Sequence, residues 1–242
     1  NYGPREVSGY LDHCLRQGQR VGPLVHYSET HDNDRLDKRG EEWSRLRNRL
    51  SALCSLSGAF GFTGGVEWLA TEQIDVHQSR GLAWGSEPNL VPELARLNRL
   101  LRDHPCFFDG ARLRRLSPED SPVLALGRRS ADGRDACLVL VNLDPEAPHA
   151  LELDGETWRE LGEPRLDLLD QEAPAIRREK AGLVTLLLPP GASYCLASAP
   201  SPLGLHGEAY RTARAQAAWA YRHLTQVLPA EGLGPADWEE LA

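Results

Sequence analysis

The sequence predicts an α/β segment followed by an all-β domain and a helical tail. Three observations carry this. Residues 20–105 alternate short apolar runs with amphipathic stretches, in the order strand, polar loop, helix, strand, polar loop, helix. From Ala111 onward the chain turns into short β-type runs punctuated by Gly, Pro and Asp. After the linker "APSPLG", an apolar stripe at helical spacing returns. The expected divisions are 1–110, 111–198 for a β-sandwich, and 199–242 for linker and tail.

"REVSGYLDHCLRQ" (5–17) reads as a helix with Val7, Tyr10, Leu11 and Leu15 on one face. "GQRVGPLVHYSE" reads as a turn feeding a buried strand centred on Leu24–Tyr27. "EEWSRLRNRLSALCSL" is a helix, with Trp43, Leu46, Leu50, Leu53, Cys54 and Leu56 recurring and Gly58 fitting a C-terminal cap. "AFGFTGGVEW" is a second short apolar run. "VPELARLNRLLRDHP" is a helix with Leu94, Leu97 and Leu101 inward and Pro105 as its stop. Two strands joined through a helix imply a parallel pair, and a parallel pair must belong to a larger sheet or barrel.

The runs "ARLRRL", "SPVLALGRRS", "ACLVLVNLD", "HALELDG", "RLDLLD" and "LVTLLLPPGASYCLAS" fit an antiparallel sandwich, with turns at "DG" (132–133) and "PPG" (189–191). In the tail, Tyr210, Ala213, Ala217, Tyr221, Leu224 and Leu228 form one stripe. "GPADWEELA" begins a further helix with Pro near its start.

Composition bounds the partners. Apolar residues make up 41% of the 242 residues, enough for a substantial core. A net charge of −8 argues against nucleic acid, because phosphate neutralisation needs a basic face. It equally argues against a polybasic membrane surface, and no run of apolar residues is long enough for a membrane span. Five cysteines are scattered with no C-x-x-C pair, so neither a zinc knuckle nor a disulfide framework is expected, and the reduced cytoplasm is the expected compartment. Cys54, Cys137 and Cys195 sit in apolar runs and are expected to be buried. Methionine is absent and the chain opens on Asn1, as expected for a processed piece of a longer protein.

"HYSETHDNDR" (26–35) gathers titratable side chains directly after the first strand. In a parallel β/α layout, functional residues collect at the C-terminal ends of strands. His31 and Asp32 fall there and have the groups to grip a polyol. A solvated loop in which Asp32 caps the next helix is an equal reading. Asp32 and Asp34 in "DND" also offer a pattern that holds a divalent ion beside a sugar diphosphate. His26 alternates away from the loop and reads as structural, while Asp34 and Arg35 read as loop residues without a role. Glu67 ends the second run at the same face, and reads as an anchor for backbone amides. Trp68 and Trp84 offer flat faces for sugar rings or for loop packing.

"YSETHD" (27–32) resembles the aromatic-x-x-x-His-Asp motif of the seventh barrel strand in the alpha-amylase family of glycoside hydrolases. "GAFGFTGGVE" (58–67) is similar to that family's eighth-strand motif, with Gly58, Gly65 and Glu67 matching and Phe60 in place of the usual Pro. "LVPELARLNRLLRDHPCF" is similar to its last barrel helix. The resemblance covers roughly residues 20–198. It implies the last β/α units of a TIM (β/α)8 barrel followed by a β-sandwich. It implies retaining cleavage or transfer of α-glucosidic bonds, with α-glucan or maltooligosaccharide as substrate and no cofactor or metal. Asp32 would be the transition-state stabiliser, His31, Trp68 and Trp84 would bind substrate, and Glu67 would be structural at the active face. Thr30 replaces the Asn that often precedes His-Asp. A retaining mechanism needs two closely spaced carboxylates, which this family carries on earlier strands. Too few residues precede His31 to hold them, so the chain alone is expected to be inactive, the rest of the barrel coming from upstream sequence. A non-catalytic glucan- or partner-binding module, and a metal-dependent glycosyltransferase piece, stand as alternatives.

Overall fold

A computed structural model describes residues 3–22, 24–75, 77–78, 80–179 and 182–229. Helix α1 (Pro4–Val21) starts on Pro4, whose missing N–H costs nothing there, and Glu6 accepts from the Gly3 amide. It runs through Gly18, which lies so close to Leu56 that a Cβ would meet it at 2.7 Å. The inward face differs from the expected one: Val7, Leu11 and Cys14 are buried, while Tyr10 is 56% exposed. The first strand is also shorter than expected. Strand β1 is His26–Tyr27 alone, and it pairs in parallel with β2 (Phe60–Gly61), His26 opposite Phe60.

Between them lies α2 (Glu41–Leu53), with acidic residues in its first turn favoured by the helix dipole. Trp43, Leu46, Leu50 and Leu53 are buried at helical spacing. The helix ends at Cys54, and Gly58 lies in a separate 3₁₀ turn (Leu56–Gly58) instead of capping it. Helix α3 (Val91–Asp103) buries Leu94, Leu97, Leu100 and Leu101, and Pro105 opens a 3₁₀ turn through Phe107.

Five residues further on, antiparallel structure takes over. The strands are β3 (Arg112–Arg115), β4 (Val123–Arg129), β5 (Ala136–Asn142), β6 (His149–Asp154), β7 (Leu166–Asp167), β8 (Ala175–Arg178), β9 (Leu183–Leu188) and β10 (Ser193–Ala197). They form a five-stranded sheet in the order β3-β4-β5-β10-β7 and a three-stranded sheet in the order β6-β9-β8. Two elements were not anticipated. Helix α4 (Gly155–Glu160) follows β6 without a gap, capped by Asp154, whose carboxylate accepts from Thr157 N at 2.8 Å. Strand β8 lies in a charged stretch whose apolar alternation is weak.

Each face of the five-stranded sheet is covered. Val123, Ala125, Leu138 and Leu140 pack with Leu151, Leu153, Val184, Leu186 and Trp158 in one apolar cluster between the two sheets. Leu124, Leu126, Cys137, Val139, Val141 and Cys195, on the opposite face, share a second cluster with Leu46, Leu50, Leu53, Leu94 and Leu97 of α2 and α3. Arg49 ties the same parts together, pairing with Glu93 on α3 and donating to Gln171 Oε1 at 2.7 Å. Helix α5 (Gly207–Val227) docks through a Phe108–Tyr210 stack, centroids 3.8 Å apart, and an Arg211–Asp103 bridge. Of its expected apolar stripe Ala217 is buried, while Leu224 and Leu228 remain partly exposed. The expected helix in "GPADWEELA" lies outside the described residues. No helix among the described residues is long and apolar enough to cross a membrane.

Candidate functional site

The two parallel strands set the geometry. His26 N donates to Ala59 O and Ser28 N to Gly61 O, so both chains leave the sheet at the same end. His26 faces the helices, 4% exposed, edge-on to Tyr10 with centroids 5.9 Å apart. Tyr27 faces the other way, is 59% exposed, and lies over Gly61, where a Cβ would meet its ring at 2.7 Å. Gly61 is therefore required by close approach.

Beyond β1 the chain bends into the loop that carries His31 and Asp32. His31 Nε2 lies 3.3 Å from Asp32 Oδ1, and both side chains project into solvent. Asp32 does not cap α2; a Gly40 backbone position does, after a 3₁₀ turn at Leu36–Arg39. Thr30 Oγ1 donates to Asn33 Oδ1 at 2.8 Å, which tightens the loop tip. Asp34 pairs with Lys38 at 2.6 Å, so one carboxylate of "DND" is already matched by a cation.

What holds the loop in place is Arg35, which the sequence reading left without a role. Arg35 is 2% exposed. Its Nε lies 2.7 Å from Glu29 Oε1, Nη1 donates to Gly81 O at 3.0 Å, and Nη2 donates to Gly64 O at 3.1 Å. Glu29 Oε2 accepts from the Leu36 amide at 2.7 Å, and Thr63 Oγ1 donates to Glu29 O. One buried ion pair thus clamps the loops that follow β1 and β2 to each other. Burial pushes the Glu29 carboxyl upward, and the Leu36 amide and Arg35 oppose that shift. The signal in the sequence was the i, i+6 Glu–Arg pair, but charged loop residues are too common for that spacing to single it out.

Gly65 takes φ 95°, and a Cβ there would meet Leu82 O at 2.9 Å and Arg35 Nη2 at 2.8 Å. Glu67 Oε2 accepts from the Gly65 amide at 2.8 Å, and Glu67 O accepts from Leu90 N. Trp68 and Trp84 lie against each other, centroids 5.8 Å apart, and Trp84 is 79% exposed. Trp68 also lines a cleft of about 550 Å³ with Asp37, Glu41, Glu72, Glu87, Ser86 and Pro88. An aromatic wall among carboxylates and a hydroxyl suits a polyol, whose ring packs on the one and whose hydroxyls bond the others. Burial, then Glu41, raises the Asp37 carboxyl above its ordinary value. His31, Asp32, Glu67 and Trp84 do not line this cleft.

No family model matches the chain. An alpha-1,4-glucan:maltose-1-phosphate maltosyltransferase of Cereibacter sphaeroides is 28% identical over 122 residues, 47% of this chain and 18% of that protein. A protein of the same name from Myxococcus xanthus is 31% identical over 121 residues, 46% of this chain and 18% of its own length. The crystal structure of a gamma-CGTase from the alkalophilic Bacillus clarkii superposes on 75% of this chain and 28% of that one, with a TM-score of 0.52 and 19% identity. The chain is thus similar in sequence to these maltosyltransferases and in fold to that gamma-CGTase. The aligned stretch spans about a fifth of the length of the curated relatives it matches. The shared fold places helices beside antiparallel sheets, as in the C-terminal region of alpha-amylase-family proteins.

Proposed function

We propose that this chain forms one wall of an alpha-amylase-family active site together with the sandwich behind it, in a protein that transfers or cleaves α-glucosidic bonds with retention. The observation that carries the reading is the His31–Asp32 pair at the C-terminal end of β1, beside a parallel β2 whose following loop holds Gly65 and Glu67. In such a layout the strand ends are the working face. Among the described residues β1 and β2 pair with no other strand. A parallel pair with two bare edges suits the last strands of a barrel whose other strands lie elsewhere in the protein.

In this reading Asp32 is the transition-state stabiliser, bonding sugar hydroxyls at the cleavage subsite, and His31 bonds the same sugar. Trp68 and Trp84 are substrate platforms, and Glu67 fixes the loop. The chain by itself is inactive, since the nucleophile and the acid/base belong to other strands. Transfer is favoured over hydrolysis, because the curated relatives are named for maltosyl transfer from maltose 1-phosphate to α-1,4-glucan. Five free, buried thiols fit the cytoplasm.

The test uses the complete protein with maltooligosaccharides, with and without maltose 1-phosphate. Asp32→Asn is expected to lower kcat by about a hundredfold or more, since hydrogen bonds that tighten in a glycosidase transition state contribute several kcal/mol. Chelator is expected to leave activity unchanged. A fully active Asp32→Asn protein sinks the reading, and chelator-sensitive activity lost with Asp34→Asn would favour a metal-dependent glycosyltransferase.

A further inference from the structure

The scattered cysteines converge in the fold. His104 and Cys106 sit on the turn after α3, and Cys137 sits on β5. All three are buried, and their ligand atoms lie within 4.8 Å of one another. His104 Nε2 is 3.6 Å from Cys137 Sγ. In a tetrahedral zinc site with bonds of about 2.3 Å to sulfur and about 2.0 Å to nitrogen, that edge measures roughly 3.5 Å. Cys195 on β10 lies diagonally across from Cys137 on the same sheet face, one further thiol at hand.

The cluster has an unusual neighbour. Arg128, opposite Cys137 in the β4–β5 register, is fully buried. It donates to three backbone carbonyls, those of Cys106, Leu53 and Ser55, and lies over the Phe107 ring at 4.0 Å. A buried guanidinium that meets carbonyl oxygens keeps its full charge inside the protein, so any cation entering beside it must bring its own compensation.

We propose that His104, Cys106 and Cys137 hold a structural zinc ion at the seam between the helices and the five-stranded sheet. Borderline-soft zinc matches two thiolates and an imidazole. The charge balances. Zn²⁺ enters, the two thiol protons leave to solvent, and the net charge around Arg128 is the same before and after. Without the ion, the Cys106 amide donates to His104 Nδ1 at 3.2 Å, so Nε2 carries the ring proton toward Cys137. Coordination through Nε2 moves that proton to Nδ1 and gives up this one long bond. The ion would pin the turn after α3 to β5, elements about thirty residues apart that otherwise meet through side-chain packing.

The experiment measures zinc in the complete protein purified without chelator, as wild type, Cys106→Ser, Cys137→Ser and a Cys14→Ser control outside the cluster. About one equivalent is expected in wild type and control, and loss of that equivalent in the other two. The zinc-stripped wild type, reloaded with Co²⁺, is expected to show thiolate-to-cobalt charge transfer. Should a variant fail to fold, wild type alone decides: alkylation in mild urea with peptide mapping must show zinc-dependent protection of Cys106 and Cys137 and none of Cys14. Zinc content unchanged in folded Cys106→Ser, or alkylation of Cys106 and Cys137 indifferent to zinc, overturns the proposal.

Discussion

Arg35 and His26 illustrate how much single side chains decide around the candidate site. Arg35 holds two loops together through one guanidinium, and its carboxylate partner is as buried as itself. Removing one member of such a pair leaves the other charged and dry. Arg35→Met is expected to cost about 3 kcal/mol in urea unfolding. The double variant with Glu29→Gln should recover part of that loss; a double variant no better than the single would count against a dominant charge effect. His26 gives a pH dependence. Burial first, then the positive charge of Arg128, pushes its imidazole below the ordinary value. As pH falls, the unfolded chain therefore takes up the proton before the folded one does. The contribution is full above the ordinary His value of about 6.5 and is lost as pH falls through the folded value. The urea midpoint of the wild type should drop across that window, and His26→Phe should flatten the drop while keeping the contact with Tyr10. Parallel slopes for the two proteins would refute the assignment.

Among the elements, α1 is fastened to the sheet by a long-range ion pair. Its buried face is narrow, and Arg115 on β3 reaches Asp12 through two hydrogen bonds of 3.1 and 2.7 Å. Arg115 in turn holds the Asp12 carboxyl below its ordinary range. Arg115→Gln should loosen α1 by about 1 kcal/mol, read as about fivefold faster amide exchange in residues 7–15 with α2 unchanged. Elements of this kind show why some features were legible in the sequence and others were not. The helical spacing of Trp43, Leu46 and Leu50, and the apolar runs of β4 and β5, are local patterns and appear in the fold much as read. The parallel pairing of β1 with β2 was also legible, because a helix between two strands leaves few alternatives. Helix α4 was missed because six residues are too few to show a period. Tyr10 was misplaced because a tyrosine reads as apolar although its ring stands half in water. The Glu29–Arg35 spacing was too ordinary to stand out, and the His104–Cys137 contact was invisible, since partners that meet only in three dimensions leave no spacing in the chain.

The whole molecule is organised around the five-stranded sheet. One face supports the helices and the other supports the three-stranded sheet, so each half completes the core of the other. Heating should therefore produce one transition, with tryptophan fluorescence and far-UV circular dichroism falling together. Two separated transitions would show that the halves are thermodynamically independent. The strand order has a further consequence for the birth of the chain. Strand β10 comes after β7, β8 and β9 in the chain, yet it sits between β5 and β7 inside the sheet. Synthesis delivers α2 and α3 some ninety residues or more before that interior strand. Throughout this interval on the ribosome, Leu46, Leu50, Leu94 and Leu97 have no finished wall to pack against. This part of the core can therefore close only as residues 193–197 leave the exit tunnel.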